Sequence, residues 1–132
     1  MLRISRLADY ASHVMRYLSH NPDSAFSAVQ IAEQTRIALP TVRKILKQLQ
    51  QAQLLLSSRG KIGGYQLATS PEKIDLAQVV EAIDGPISLT HCSMKNSSCE
   101  HSNHCGMKQD WQLINQTVRG ALAKMSLADI QR

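Results

Sequence analysis

Residues 91–108, HCSMKNSSCEHSNHCGMK, hold all three cysteines and three of the five histidines, and contain almost nothing able to enter an apolar core. Cys92, Cys99 and Cys105 have six and five residues between them, mostly Ser, Asn, Lys and Glu, so neither a helix period nor a strand period lines them up. They meet only if a loop wraps around something. The segment therefore reads as a site, and the packing has to come from the rest of the chain. Three soft thiolates converging from one polar loop suit zinc or an iron–sulfur cluster, both of which accept sulfur ligands readily. A fourth donor then has to come from elsewhere.

Three plainer explanations of the cysteines are weaker. A free Cys is often a small buried hydrophobe, but here the apolar neighbours are missing. A disulfide framework is disfavoured by the odd count, and Arg3, Arg6, Asp9 and Arg16 interrupt any apolar run that a secretory segment would need. A reducing cytoplasm, where thiols stay free for metal, is the expected compartment. Cysteine nucleophile chemistry with His91 or His104 lacks a recognisable oxyanion turn or orienting carboxylate.

At 132 residues the chain is about one domain long and able to bury a real core. No apolar run approaches the roughly twenty residues that cross a bilayer. The formal net charge is +5, and its distribution matters more than its size. No acidic residue lies between Glu33 and Glu72, while Arg36, Arg43, Lys44, Lys47, Arg59 and Lys61 all fall in that window. A solvated face normally mixes signs; one-sign segregation is the footprint expected of nucleic-acid binding.

Apolar spacing at Leu7, Tyr10, Ala11, Val14, Met15 and Leu18 predicts a helix from Ser5 to about His20. Asp9 and His13 sit four apart on its other side, where they form either a surface ion pair or a two-donor metal chelate. Ser27 with Gln30 has the capping-box form and opens a short helix ending at Thr35. After a tight connection, Pro40 begins a third helix with Val42, Ile45, Leu46 and Leu49 on its core face and Thr41, Arg43, Lys44 and Lys47 pointing outward. Two helices joined by so short a turn, the second basic on its free side, make a helix-turn-helix whose second member lies in the major groove.

Leu54, Leu55 and Leu56 then predict a short strand, residues 59–64 a turn and residues 65–67 the returning strand. The glycines do not match a phosphate-binding loop, because no Ser or Thr follows the Gly-Lys pair. They fit a wing tip that carries Arg59 into the minor groove and Lys61 to the phosphates. Asp75 caps a helix through Leu76, Val79, Val80 and Ile83, which residues 84–86 break. Past the cysteines, Trp111, Ile114, Val118, Leu122 and Met125 mark a long helix over residues 109–125. It carries more apolar stripe than so small a domain satisfies internally, which predicts pairing with its copy across a two-fold axis. Ser126 and Asp129 stand in capping positions for a last turn.

Nearly the whole chain resembles the winged-helix iron–sulfur transcription regulators of the IscR and NsrR types, most closely the regulators of SUF iron–sulfur assembly operons. The likeness is carried by MLRISRLADYA, PTVRKILKQL, SSRGKIGGYQLA, DGPISLTHC and WQLINQTVRGALAKMSLADI. It implies a dimeric repressor on a near-palindromic operator with one cluster per subunit on Cys92, Cys99 and Cys105, [2Fe-2S] favoured over [4Fe-4S]. IscR-type members place a histidine three residues after the last cysteine; here that position is Lys108, which has no lone pair to offer when protonated. NsrR-type members use a carboxylate of the other subunit near the start of the first helix, which Asp9 matches, and another branch uses an acidic residue and a histidine one turn apart, which Asp9 and His13 match. His91, His101 and His104 remain local alternatives.

The expectation is a mainly α protein with a small β-hairpin wing: a winged helix-turn-helix over residues 1–84, a cluster loop over 85–108 and a dimerisation helix with a final turn over 109–132. Its partners are double-stranded DNA and its own copy, with no membrane, no small-molecule substrate and no enzymatic activity. Thr41, Arg43 and Lys44 are expected to read or flank base edges, while Lys47 and Lys61 mainly hold phosphates. A zinc-stabilised DNA-binding module without sensing, a nitric-oxide-responsive repressor of the same family and a small thiol enzyme are the competing assignments.

Overall fold

In the computed structural model, which describes residues 3–94, 98–101 and 103–131, five α-helices surround a two-stranded hairpin. Helix α1 (Arg6–Ser19) starts where Ser5 Oγ accepts the amide of Ala8, and it turns Ala8, Ala11, Val14, Met15 and Leu18 inward. Helix α2 (Ala28–Thr35) carries the complete capping box: Gln30 N–H donates to Ser27 Oγ and Ser27 N–H to Gln30 Oε1. Helix α3 (Leu39–Gln51) begins one residue before Pro40 and buries Val42, Ile45, Leu46 and Leu49, the four residues expected from its periodicity. These three helices share one core with Leu54, Leu55, Leu67, Ile74, Val79 and Leu127.

The hairpin is displaced from its expected place. Strand β1 is Leu55–Ser58 and β2 is Gly64–Leu67, antiparallel with Leu55 opposite Leu67 and Ser58 opposite Gly64. Leu54 belongs instead to the end of α3: Gln53 turns left-handed at φ 63°, and the Leu54 amide donates back to Leu49 O at 3.0 Å. The wing is tied to the segment before α2 by a pair of backbone bonds between Phe26 and Tyr65, 2.9 and 2.7 Å long. That closeness depends on Gly64, at φ +150°, where a Cβ would lie 2.4 Å from Phe26 O. Gly64→Ala is expected to cost about 1–3 kcal/mol and to loosen the hairpin. A lowered thermal midpoint and faster cleavage at residues 59–63 would show it.

Helix α4 (Leu76–Asp84) also opens with a full capping box, Asp75 with Gln78, and ends at Gly85, φ +80°. Helix α5 (Lys108–Ala123) starts and stops slightly earlier than expected, and buries none of its residues fully. The chain beyond it returns to the head. Leu76 N–H donates to Met125 O and Leu127 N–H to Ile74 O, while Arg16 Nε donates to Ile130 O and Gln131 Nε2 to Ser19 O. Leu127 is wholly buried. Among the described residues no helix is long and apolar enough to cross a membrane.

Candidate nucleic-acid interface and cysteine segment

The basic window folds onto two adjoining elements. Arg43, Lys44 and Lys47 are exposed on α3, and Arg59 and Lys61 on the hairpin. Among the described residues none of these five takes part in an ion pair, so their charge stays available to phosphate. Gln50 Nε2 donates to Ser57 Oγ at 2.9 Å, fixing β1 against the free side of α3. Helix α3 and the hairpin it is tied to thus carry these exposed basic residues of the window together. Thr41 departs from expectation: it is half-buried and lines a cleft with Tyr10, His13, Thr35 and Arg36. The start of α3 adjoins α1 there, across the cleft lined by Leu7, Tyr10 and His13.

Arg36 was legible only as part of the charge window. It caps α2 in the left-handed conformation, φ 58° and ψ 29°, a place where glycine avoids a penalty of about 1–2 kcal/mol. It is exposed on the turn between α2 and α3.

Asp9 and His13 do come together, with His13 Nε2 3.5 Å from Asp9 Oδ1 and both side chains about 60% exposed (His13 59%, Asp9 60%). Asp9 also faces a cleft shared with Arg3, Arg6, Ser12 and Leu122 of α5. The pair stands clear of its own cysteines as an open two-donor face.

The three thiols are free of disulfides; Cys92 and Cys99 are half-buried and Cys105 is exposed. The turn at His91–Ser93 is held by the Thr90 hydroxyl, 3.1 Å from Cys92 Sγ and 2.9 Å from Ser93 Oγ. Among the described residues no three Cys, His, Asp or Glu side chains are gathered as a metal site. The expected convergence of Cys92, Cys99 and Cys105 is therefore not drawn by the protein chain alone. The donor chemistry fits a sulfur-ligated group: three unpaired thiols share a polar segment, none of them committed to the core.

Two side chains that sequence reasoning did not single out connect this segment to the rest. Asn115 on α5 accepts Leu89 N–H at 2.8 Å and donates Nδ2–H to Ile87 O at 2.9 Å, gripping the irregular segment that leads into the cysteines. One turn later Arg119 makes a two-pronged bond to Glu81 of α4, 2.7 and 3.1 Å. The hydrogen bond and charge of Glu81 raise the pKa of Arg119 further above its ordinary value. Their only sequence signal is polarity at i and i+4 beside an apolar stripe.

That stripe divides in two. Val118 and Leu122 turn toward α4 and share a groove with Ile4, Val80 and Ile87. Trp111, Ile114 and Met125 remain exposed, at 37%, 40% and 42%, as does Leu113 outside the stripe at 64%.

Residues 4–132 match the Rrf2 family, described as an iron-dependent transcriptional regulator. An inferred HTH-type transcriptional regulator of Neisseria meningitidis is 28% identical over 130 residues, covering 98% of this chain and 87% of the relative. The HTH-type transcriptional regulator IscR of Photobacterium profundum is 26% identical over 132 residues, covering 99% and 76%. Among solved structures, CymR, the global cysteine regulator of B. subtilis, superposes with a TM-score of 0.77 at 24% identity over 99% of this chain and 97% of its own. This last likeness establishes the fold, which is a winged helix.

Proposed function

The chain belongs to the Rrf2 family of transcriptional regulators, proteins that act on DNA and are not enzymes, and on that premise we propose that it is an iron–sulfur-dependent repressor of iron–sulfur assembly genes. It works in the cytoplasm as a homodimer on a near-palindromic operator. Cys92, Cys99 and Cys105 hold the cluster, two-iron in preference to four-iron, with Asp9 or His13 of the other subunit as the remaining ligand. Bound there, the group supplies a centre whose presence and oxidation state follow iron supply and redox poise.

The observation that carries this proposal is the shared face of α5. Asn115 holds the segment leading into the cysteines, and Arg119, one turn on, holds the DNA-binding head through Glu81. A half-exposed ion pair contributes at most about 1 kcal/mol of stability, so the Arg119 bond matters for direction. It sets the angle at which α5 leaves α4. A rearrangement of residues 87–92 shifts the Asn115 carboxamide and hence the helix that joins the two heads. Half-sites repeat about every 34 Å along the duplex, so a small change of that angle takes one recognition helix out of its groove.

On the DNA, Arg43 and Lys44 reach base edges with Thr41 at their flank. Lys47 and Lys61 hold phosphates, and Arg59 enters the minor groove. The test is an operator footprint of protein purified without oxygen, with its absorption spectrum recorded before and after air. We expect visible absorption that bleaches in air together with a changed footprint. Colourless, iron-free protein after every attempted reconstitution would defeat the sensor assignment, since zinc in the same thiols is silent in both readouts.

A further inference from the structure

The tip of the wing carries a side chain that the fold does not use. Ile62 is 93% exposed, more than any other large apolar residue described. It sits at the apex of a four-residue turn closed by Gly63 N–H donating to Gly60 O at 3.1 Å. The turn is tight: a Cβ on Gly63 would lie 2.5 Å from Ser58 O and 2.7 Å from the carbonyl carbon of Arg59. Lys61 and Ile62 are thereby held at the summit. Below them the stalk is fixed at two points, by the Phe26–Tyr65 bonds and by Gln50 on Ser57. The result is a branched aliphatic group on a stalk tied at two points, next to Lys61 and three residues after Arg59, two cations outside any ion pair among the described residues. An exposed isoleucine at a flexible tip would be an idle surface residue. On this support it has a direction, and the flanking charge selects a polyanion as what it meets.

We propose that Ile62 is an apolar wedge that presses into the minor groove beside each half-site, partly unstacking one base step and bending the duplex. Basic side chains bring such a wedge to the groove and an inserted aliphatic group opens the stack, a division of labour known from minor-groove binders in general. Ile62 has no hydrogen-bonding atom, so it reads deformability and not base identity. Flexible pyrimidine–purine steps, TA or CA/TG, are favoured at that flank, and stiff A-tracts are disfavoured. The inference rests on the wing meeting the minor groove but not on the cluster.

The experiment uses the full chain and the duplex defined by its own footprint, with 2-aminopurine placed at the flanking step. Ile62→Ser should bind about tenfold more weakly, lose the fluorescence rise that reports unstacking and bend the duplex less, with an unchanged salt slope. Ile62→Leu should restore all three. Lys61→Ala should instead lower the salt slope by about 0.9 and keep the fluorescence rise. Exchanging the flanking step for an A-tract should weaken the wild type but not Ile62→Ser, whose Arg59 still gains from the narrower groove. If Ile62→Ser binds, brightens and bends the duplex as the wild type does, the wedge is refuted while the regulator stands. If the wild type protects no duplex at all, the proposed function fails first and the wedge with it.

Discussion

Changing Trp111 and Ile114 together to Glu is expected to leave a folded monomer that binds its operator about 100-fold to 1000-fold more weakly than the wild type. Both side chains stand exposed on α5 in the single chain, so neither supports the core, and far-ultraviolet dichroism should not change. Each large apolar side chain fully covered at an interface is worth about 1.5–3 kcal/mol. Trp111 and Ile114 have 37% and 40% of their surface left to cover, and in a two-fold dimer every substitution is felt twice, so losing both removes about 2.5–5 kcal/mol, before the repulsion of four new carboxylates. A micromolar dimer holds together by only about 8 kcal/mol. Operator binding falls with it, because the second half-site is no longer met at the high effective concentration that a linked head provides. Sedimentation equilibrium reads the first effect and a titration on full and half operators the second. A double variant that stays dimeric at low micromolar concentration would move the interface away from α5. Val118 and Leu122 serve as the contrast: they already pack toward α4, and their loss should appear as instability of the chain itself.

The helices of the head were legible because their information is local. Four apolar residues at three-and-four spacing identify the buried face of α3, and Ser27 with Gln30 identifies the start of α2, since both need only neighbours along the chain. The Asp75–Gln78 box has the same form, and only its first half was read. The hairpin was misplaced by one residue at its start because Leu54, Leu55 and Leu56 look alike in sequence. What separates them is which amide answers the last carbonyls of α3, and Leu54 does so. Ser57 and Ser58 complete the strand without any burial pattern to announce it. Nothing local predicts that residues 125–131 return to α1 and α4, for that depends on contacts 49 to 114 residues away in the chain. The site was legible in its chemistry and not in its geometry. Thiols at irregular spacing suggest a ligand by their chemistry, but among the described residues they are not gathered, and spacing along the chain does not tell how they would be.

Replacing Cys92, Cys99 and Cys105 with Ala should therefore separate function from folding more cleanly than any other change. The described part of residues 91–108 contributes no buried residue, so the metal-free protein should keep its thermal midpoint, with a change within about 0.5 kcal/mol. Iron content and visible absorption should vanish, and operator affinity should become the same with and without air. Loading is also expected to release protons, because only thiolates ligate, so iron retention should weaken as pH falls. Limited proteolysis adds an independent readout. With the thiols gathered on a cluster the segment is ordered and resists cleavage; in the triple variant it should be cut at the rate of the iron-free wild type. Under the proposed function that order passes to α5 through the Asn115 bonds to Ile87 and Leu89, so Asn115→Ala should keep the cluster and its protection while losing the difference in operator affinity. A triple variant that still answers to air would put the sensor somewhere other than these three sulfurs. The open Asp9–His13 pair would then need another partner than the cysteines.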